Sequence, residues 1–486
     1  MIGLTDTKFK KEYFKDDNGQ EKLLDNFQTG KVKLLPFTLN PLSGNLYDGS
    51  CGLLGVAGEF YRIITESSVA PIKSADEAAE VLKVALKDKF KMSDEDIVRF
   101  ISIFKDILFE NNTLNVIDAA FLAFAPMKFF EKEFDGNNSI KKYRTGQPKI
   151  ADYYVSLAEL CEDIFTVKPK DIFSQTVIDC LTNEDSFKGA TQKDKYFILP
   201  FIKESFAKDL KWLLEQNNSV VVKYLPLFLH FYACYSLIQT LTFMNKNNWE
   251  LSIAKPKTIY YMLTSEKVTA SADGVRKGWS ASDILSDTFL DKMSSYAQAL
   301  DILNLLFEDN EGLMTFQEIK EKFAAIGWDD EAKTLCESIL CEYQTRKRNS
   351  LQDRGTETNA LPELISTEVQ SFDEFMDRLL EMCMRLQSKD YPRMKHAMYA
   401  MADVKLLMRR REHKVLAFDE ELLLFLIAMM TKGDRVRMET LYKQFDSYGI
   451  RFSFQTKSEI SDYLLNLNLL ERKSDSGEAQ YVRVVL

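Results

Sequence analysis

The alternation of apolar and polar residues predicts helices along most of the chain, and it is clearest over residues 418–486. Asp419 can cap an apolar helix over residues 420–431, and Gly433 is placed to end it. A second amphipathic helix is predicted over residues 436–448, with apolar side chains at helical spacing. Two helices in quick succession, each with its own end signals, indicate a compact helical unit.

The rest of this end completes a recognisable order of elements. A third helix begins near Ser453 or Thr456 and runs to about Asn466. Residues 469–473 and 479–484 then alternate like two strands joined by a polar turn. Helix, helix, helix and hairpin is the order of a winged helix, which is a variant of the helix-turn-helix.

Helical periods also dominate upstream, and only 19 Gly and 11 Pro argue against a barrel or a loop-rich all-β protein. The sequence therefore predicts a mainly α protein, with a multi-helical body and a C-terminal winged helix. A polar stretch that begins at Gln344 is the clearest linker. The predicted division is an N-terminal arm with short extended segments over 1–60, a helical subdomain over 61–145, a helical body over 146–343, a linker over 344–371, a helical connector over 372–417 and the winged helix over 418–486.

Two polar stretches carry basic residues: 135–147, a loop expected to separate the N-terminal subdomain from the rest, and 265–279, which interrupts the helical body. Loops often carry function, so either could contact a phosphate backbone or a protein partner. Short charged runs are more often solvated loops, and the sequence favours that interpretation for the first and a plain linker for the second.

Charge is unevenly distributed along the chain. The whole protein carries a net charge of −10, yet from Arg393 onwards sixteen Lys and Arg outnumber thirteen Asp and Glu. Such an asymmetry fits an acidic body with one mildly basic end. A hydrophobic fraction of 45% is sufficient for sizeable cores, so the chain is expected to be globular.

The seven cysteines form no Cys-x-x-Cys pair, and the first residues are polar and charged rather than like a signal peptide. The most apolar stretch, over residues 220–244, is interrupted by Lys223, Pro226 and His230. It is better interpreted as a buried core helix than as a membrane span. We therefore expect a cytoplasmic protein without a membrane partner.

Catalytic signatures are missing from the sequence. The three histidines (His230, His396 and His413) leave little room for a metal site, and His230 is expected to lie in the core. The glycine-rich stretch 49–58 lacks the Gly-Lys-Ser/Thr register of a phosphate-binding loop, and a close-packed turn into a helix is the simpler interpretation. We therefore expect no enzyme activity, no cofactor, no metal and no small-molecule substrate.

The predicted winged helix offers a candidate surface for double-stranded DNA. Basic and small polar residues fall on its third helix, on its wing and on the run just upstream, which predicts weak, largely backbone-directed binding. The alternative is a domain that docks proteins, because acidic residues such as Glu459, Asp462 and Glu471 dilute the same face. The candidate DNA-binding residues are Arg409, Arg410, Arg411, Lys414, Arg451, Thr456, Lys457, Ser458, Arg472 and Lys473.

Three segments of this region, 405–412, 418–426 and 470–482, together resemble the DptG (DndG) family. That family is a component of the bacterial restriction system that depends on DNA phosphorothioation. The resemblance implies a non-catalytic subunit that contributes DNA binding and assembly in defence against phage. It also implies two partners, DptF and DptH, which supply the ATPase and DNA-cleaving activities. A protein-only adaptor subunit is the alternative.

Overall fold

The computed structural model describes most of the chain. The described residues are 4–17, 20–23, 28–37, 52–66, 69–110, 113–127, 129–134, 137–144, 147–161, 171–182, 191–246, 255–279, 285–308, 312–353, 355–356, 361–386, 393–410, 413–472 and 480–483. Helices make up most of this part, so the prediction of a mainly α protein is confirmed.

The first half of the chain consists of helices joined by short strand pairs. Its elements are α1 (Thr7–Tyr13), β1 (Phe14–Asp17), β2 (Gln20–Leu23), β3 (Val32–Lys33), α2 (Gly52–Ile64), α3 (Ala75–Phe90), α4 (Asp94–Leu108), β4 (Phe109–Glu110), β5 (Thr113–Leu114), a 3-10 helix (Ala119–Phe124), β6 (Phe129–Phe134), β7 (Asn137–Arg144), α5 (Gln147–Leu157), a 3-10 helix (Ala158–Leu160), α6 (Ile172–Leu181), β8 (Lys195–Tyr196), α7 (Pro200–Leu214) and α8 (Asn218–Phe243). Most of the predicted loop 135–147 is therefore strand β7, which pairs antiparallel with β6.

The second half adds two sheets to the helices. Its elements are β9 (Ile259–Leu263), α9 (Asp273–Arg276), α10 (Asp287–Leu305), α11 (Phe316–Ile326), α12 (Asp330–Asp353), α13 (Phe372–Arg385), α14 (Arg393–Ala402), β10 (Leu407–Arg410), β11 (His413–Phe418), α15 (Glu420–Thr431), β12 (Val436–Arg437), α16 (Met438–Ser447), β13 (Ile450–Phe452), α17 (Phe454–Asn466), β14 (Leu470–Arg472) and β15 (Gln480–Val482). Helix α12 continues to Asp353, past the predicted start of the linker at 344.

The glycines at the start of α2 let it pack closely on the 3-10 helix Ala119–Phe124. A Cβ atom added at Gly55 would lie 2.5 Å from the carbonyl oxygen of Pro126, and one at Gly58 would lie 2.7 Å from that of Leu122. Arg62 of the same helix is fully buried and donates to the Ala123 carbonyl at 2.6 Å. Over residues 52–58 the glycine-rich stretch is thus a close-packed helix start, while 49–51 lie outside the described residues.

Helix α8 forms the centre of the body. By length and composition it could cross a membrane, but 89% of its apolar window is buried inside the protein. Tyr224 stacks on Phe425 of α15, with ring centroids 4.9 Å apart. His230 is fully buried, as predicted, and burial lowers the pKa of its imidazole to about 3, with a further contribution from Lys405. The helix therefore connects the body with the C-terminal elements.

A four-stranded sheet, called here the mixed sheet, has the order β10-β11-β9-β13. Strands β11 and β13 both pair parallel with β9, and β10 pairs antiparallel with β11. The predicted helical connector over 372–417 is therefore helical only as far as Ala402, because residues 407–410 and 413–418 form strands of this sheet. Pairing with the next strand, β11, which is itself held by the distant strand β9, overrides the helical propensity of the leucines and arginines there.

The elements after Phe418 follow the predicted order closely. Asp419 caps α15 by accepting from the backbone N–H of Leu422 at 2.8 Å, and Lys432 and Gly433 end it with φ values of 54° and 79°. Ser453 caps α17 and accepts from Thr456 N–H at 3.0 Å. A three-stranded antiparallel sheet, called here the C-terminal sheet, has the order β12-β15-β14. Strand β13, between α16 and α17, was not predicted.

A buried carboxylate ties the C-terminal elements to the helical body. Asp209 of α7 is fully buried and accepts hydrogen bonds from Tyr232 Oη at 2.6 Å and from Tyr448 Oη at 2.7 Å. It also accepts from the ammonium of Lys432. Donors from α8, from the end of α15 and from the end of α16 thus converge on one side chain.

Candidate nucleic-acid interface

Two arginines contact one tyrosine on the C-terminal sheet, and a third pairs with the glutamate beside it. Tyr481 lies on the middle strand, opposite Arg437 on one side and Glu471 on the other. The guanidinium of Arg435 lies 4.5 Å from the centre of the Tyr481 ring, and Arg437 Nε donates to Tyr481 Oη at 3.2 Å. Arg483 Nε donates to Glu471 Oε1 at 2.7 Å. Arg435, Arg437 and Arg483 are called here the arginine cluster.

The arginine cluster carries more positive than negative charge. Glu471 is shared by Arg435 and Arg483, which lower its pKa, and Glu439 is the second carboxylate that acts on the cluster, through Arg437. Hydrogen bonding to Tyr481 raises the pKa of Arg437, which as a guanidinium is charged at any physiological pH. The side chains of Arg435 and Arg483 are 44% and 53% exposed. Exposed guanidinium groups beside an aromatic ring suit contacts with phosphates.

Two of the predicted DNA-binding residues lie instead in an ion-pair network on the β10–β11 hairpin. Arg409 and Lys414 are opposite each other in the pairing, and both lie over the ring of Tyr399, at 4.7 and 4.5 Å from its centre. Arg409 pairs with Asp403 at 2.8 Å, and Lys414 pairs with Asp287 at 2.6 Å. Their charges are therefore largely neutralised within the protein.

Arg410, which follows Arg409 on β10, is not part of the network around Tyr399. It is exposed and donates to the carbonyl oxygen of Thr264 at 3.3 Å. Its neighbour Arg411 lies outside the described residues. Arg451, on strand β13, pairs with Asp446 at 2.9 Å and remains 43% exposed.

Thr456 is fully buried, so the prediction that it is an exposed residue of the third helix is wrong. Its hydroxyl contacts the carboxylate of Glu266, with oxygen atoms 3.0 and 3.2 Å apart. Glu266 is itself buried, and burial raises its pKa. A polar side chain at this position is thus explained by a buried partner far upstream in the chain, and Thr456 fixes α17 to the loop after β9.

The outward face of α17 is acidic rather than basic. Lys457 is half-buried and lies 4.7 Å from the centre of the Tyr442 ring. Ser458 is exposed as predicted, but so are Glu459 and Asp462. Two carboxylates on this face oppose close approach to phosphates, because like charges repel.

The wing residues of the prediction are described only in part. Arg472 belongs to strand β14, but its side chain and the whole of Lys473 lie outside the described residues. Arg435 and Arg437 were missed by sequence reasoning, because they precede the second helix and seemed remote from the hairpin. The short alternating run at Arg435, Val436 and Arg437 was the available signal, since a strand there can pair with the hairpin.

Groups of three or more His, Cys, Asp or Glu side chains that could hold a metal ion are not found among the residues that the structure describes. Comparison with known proteins adds no assignment. A scan against protein-family models finds no match to this chain, and a search of curated proteins finds no similar sequence.

Proposed function

We propose that residues 418–486 form a winged helix. The order of α15, β12, α16, β13, α17, β14 and β15 supports this assignment, as does the pairing of β12 with the final hairpin, while β13 pairs outside the unit with β9. In a winged helix the first short strand joins the two strands of the wing. The arginine cluster would then lie on the wing sheet.

We propose further that the chain is a non-catalytic subunit that contacts the phosphate backbone of double-stranded DNA. The observation that carries this proposal is the arginine cluster, where three guanidinium groups outnumber the two carboxylates that act on them, Glu471 and Glu439. Phosphate contacts position a protein on the duplex without reading its sequence. The acidic outward face of α17 argues for this kind of contact rather than for sequence readout in the major groove.

The setting that fits this role is a phosphorothioation-dependent restriction complex acting in the cytoplasm. The support is the resemblance of segments 405–412, 418–426 and 470–482 to the DptG family. DptF-like and DptH-like subunits would then supply ATPase and nuclease activity, and this chain would supply weak DNA binding and assembly.

The test is duplex binding by a variant with Arg435→Ala, Arg437→Ala and Arg483→Ala, measured by fluorescence anisotropy over a range of NaCl concentrations. Each lost phosphate contact lowers the salt slope by about 0.9, so the slope should fall by about 3 in this variant. Folding should survive, because exposed ion pairs stabilise a protein by only about 0–1 kcal/mol.

A matched control removes three exposed cations from helices α3 and α4, near the N-terminus, with Lys83→Ala, Lys87→Ala and Arg99→Ala. The control has the same change in net charge, so its salt slope should equal that of the unaltered protein. Equal slopes for both variants would refute the assignment of DNA contact to the arginine cluster.

A protein-only adaptor is the second candidate, and the acidic face of α17 favours it. Changing Glu459→Lys and Asp462→Lys should then abolish co-purification with the ATPase and nuclease subunits. The DNA-binding proposal expects the same variant to bind duplex more tightly, because two repulsive charges become attractive. The adaptor proposal therefore predicts a change in co-purification, whereas the DNA-binding proposal predicts a change in duplex affinity.

A further inference from the structure

The outer face of the mixed sheet is covered by one segment of chain, residues 264–279, called here the cover segment. Its apolar side chains Val268, Ala272 and Val275 pack on Met262, Val415 and Ala417 of the sheet. At its start, Thr264 N–H donates to the Phe418 carbonyl at 3.0 Å. At its end, the Lys277 carbonyl accepts from Tyr260 N–H at 3.2 Å. The cover segment is thus held at both ends and along its length.

Because its apolar side faces the sheet, the cover segment turns its basic side chains outward. Lys267 is exposed, and the side chains of Arg276 and Lys277 are 61% and 53% exposed. The acidic residue Glu266 does not dilute this surface, since its side chain is buried against Thr456. Asp273 lies between Arg276 and Lys277, at 3.4 and 3.3 Å, and is shared by both.

Two cations from the sheet itself extend the basic surface at its two ends. Arg410 donates to the Thr264 carbonyl, next to the start of the cover segment. Arg451 is opposite Tyr260 in the pairing of β13 with β9, and Lys277 Nζ lies 5.1 Å from the centre of the Tyr260 ring. Five cations on the described part of this surface therefore outnumber the two carboxylates paired with them, Asp273 and Asp446, and the nearby Glu459 of α17, whose charge acts on Glu266.

We propose that the cover segment, with Arg410 and Arg451, is a second contact surface for the phosphate backbone of nucleic acid. Charge complementarity supports this partner, because exposed Lys and Arg in excess over carboxylates bind polyanions by displacing their counterions. The surface belongs to the mixed sheet, whereas the arginine cluster belongs to the C-terminal sheet, and α16 contacts strands of both. This inference rests on the proposed function only in that both surfaces bind the phosphate backbone. The assignment of binding to either surface can be refuted without refuting the other.

The experiment measures anisotropy of a labelled duplex against NaCl concentration for the full chain. A variant with Lys267→Ala, Arg276→Ala and Lys277→Ala should lose affinity at low salt, and its salt slope should fall by up to about 3. A charge-conserving variant, Lys267→Arg, Arg276→Lys and Lys277→Arg, should bind as the unaltered protein does. Loss of binding in both variants would indicate a damaged fold and would overturn the assignment to charge.

Comparison with the arginine-cluster variant separates the two sites. If only the arginine-cluster variant weakens binding, the cover segment does not bind nucleic acid and this inference is refuted, while the proposed function stands. If only the cover-segment variant weakens binding, the inference stands and the proposed site on the C-terminal sheet is refuted. Unchanged slopes in both variants refute both assignments.

Discussion

Replacing Asp209 by alanine should destabilise the contact between the helical body and the C-terminal elements more than any change to the residues bonded to it. Asp209 is fully buried, and its carboxylate is the shared acceptor for Tyr232, Tyr448 and Lys432. Asp209→Ala leaves these donors without their acceptor. Removing one partner from a buried charged network costs about 3–5 kcal/mol.

The comparison variant is Tyr448→Phe, which removes one donor and leaves the carboxylate bonded to Tyr232 and Lys432. A single hydrogen bond contributes about 1 kcal/mol, so the free energy of unfolding should fall by about that amount. Lys432 is 28% exposed and can turn toward water in Asp209→Ala, which favours the lower end of the range for that variant.

Urea unfolding followed by circular dichroism gives the two free energies, and hydrogen exchange of peptides covering 432–452 reports where the loss occurs. Asp209→Ala should speed exchange in these peptides, because the turn at Lys432 and the end of α16 lose their anchor. Equal midpoints for Asp209→Ala and Tyr448→Phe would show that the carboxylate does not organise this contact, and the reasoning would be wrong.

Three further outcomes are expected. Thr456→Val should lower the free energy of unfolding by about 1–2 kcal/mol, because the buried Glu266 carboxylate loses a hydrogen bond. The same variant should bind duplex DNA with unchanged affinity in anisotropy. Weaker binding at unchanged stability would restore Thr456 as a DNA contact. Gly58→Ala should lower the thermal midpoint, since its Cβ would meet backbone carbonyls, whereas Gly312→Ala, which has open space, should not. Burial raises the pKa of Asp152 to about 6, so the folded protein keeps a proton that the unfolded chain loses near pH 4. The contribution of this proton to the free energy of unfolding should therefore fall as the pH rises from about 4 to about 6. Urea midpoints across this range should show a slope that Asp152→Asn lacks, and equal slopes would contradict the assignment.

The helices of the C-terminal end could be predicted because their end signals are local. Asp419, Gly433 and Ser453 act on backbone groups within a few residues, so their effects are visible in a short stretch of sequence. Strand β13 has only three residues and no local partner, since its pairing with β9 joins residues that are far apart in the chain. Such non-local pairings leave no periodic signal.

The candidate site was less predictable for the same reason. Arg409 and Lys414 are basic in the sequence, but the carboxylates that neutralise them, Asp403 and Asp287, are recognised only from the fold. Thr456 is polar and was therefore expected outside, although a buried carboxylate provides its partner. The local sequence identifies charged residues, whereas tertiary contacts decide which of them remain able to bind a phosphate.

The position of β9 in the mixed sheet has a consequence for the synthesis of the chain. Its neighbours β11 and β13 both follow it by a long stretch of sequence, so Ile259–Leu263 leaves the ribosome well before either partner exists. Until then the nascent chain carries an apolar strand with two open edges, a feature that promotes aggregation. The sheet is therefore complete only after strand β13 has emerged, and a translation product that ends before Ile450 would leave one edge of β9 unpaired.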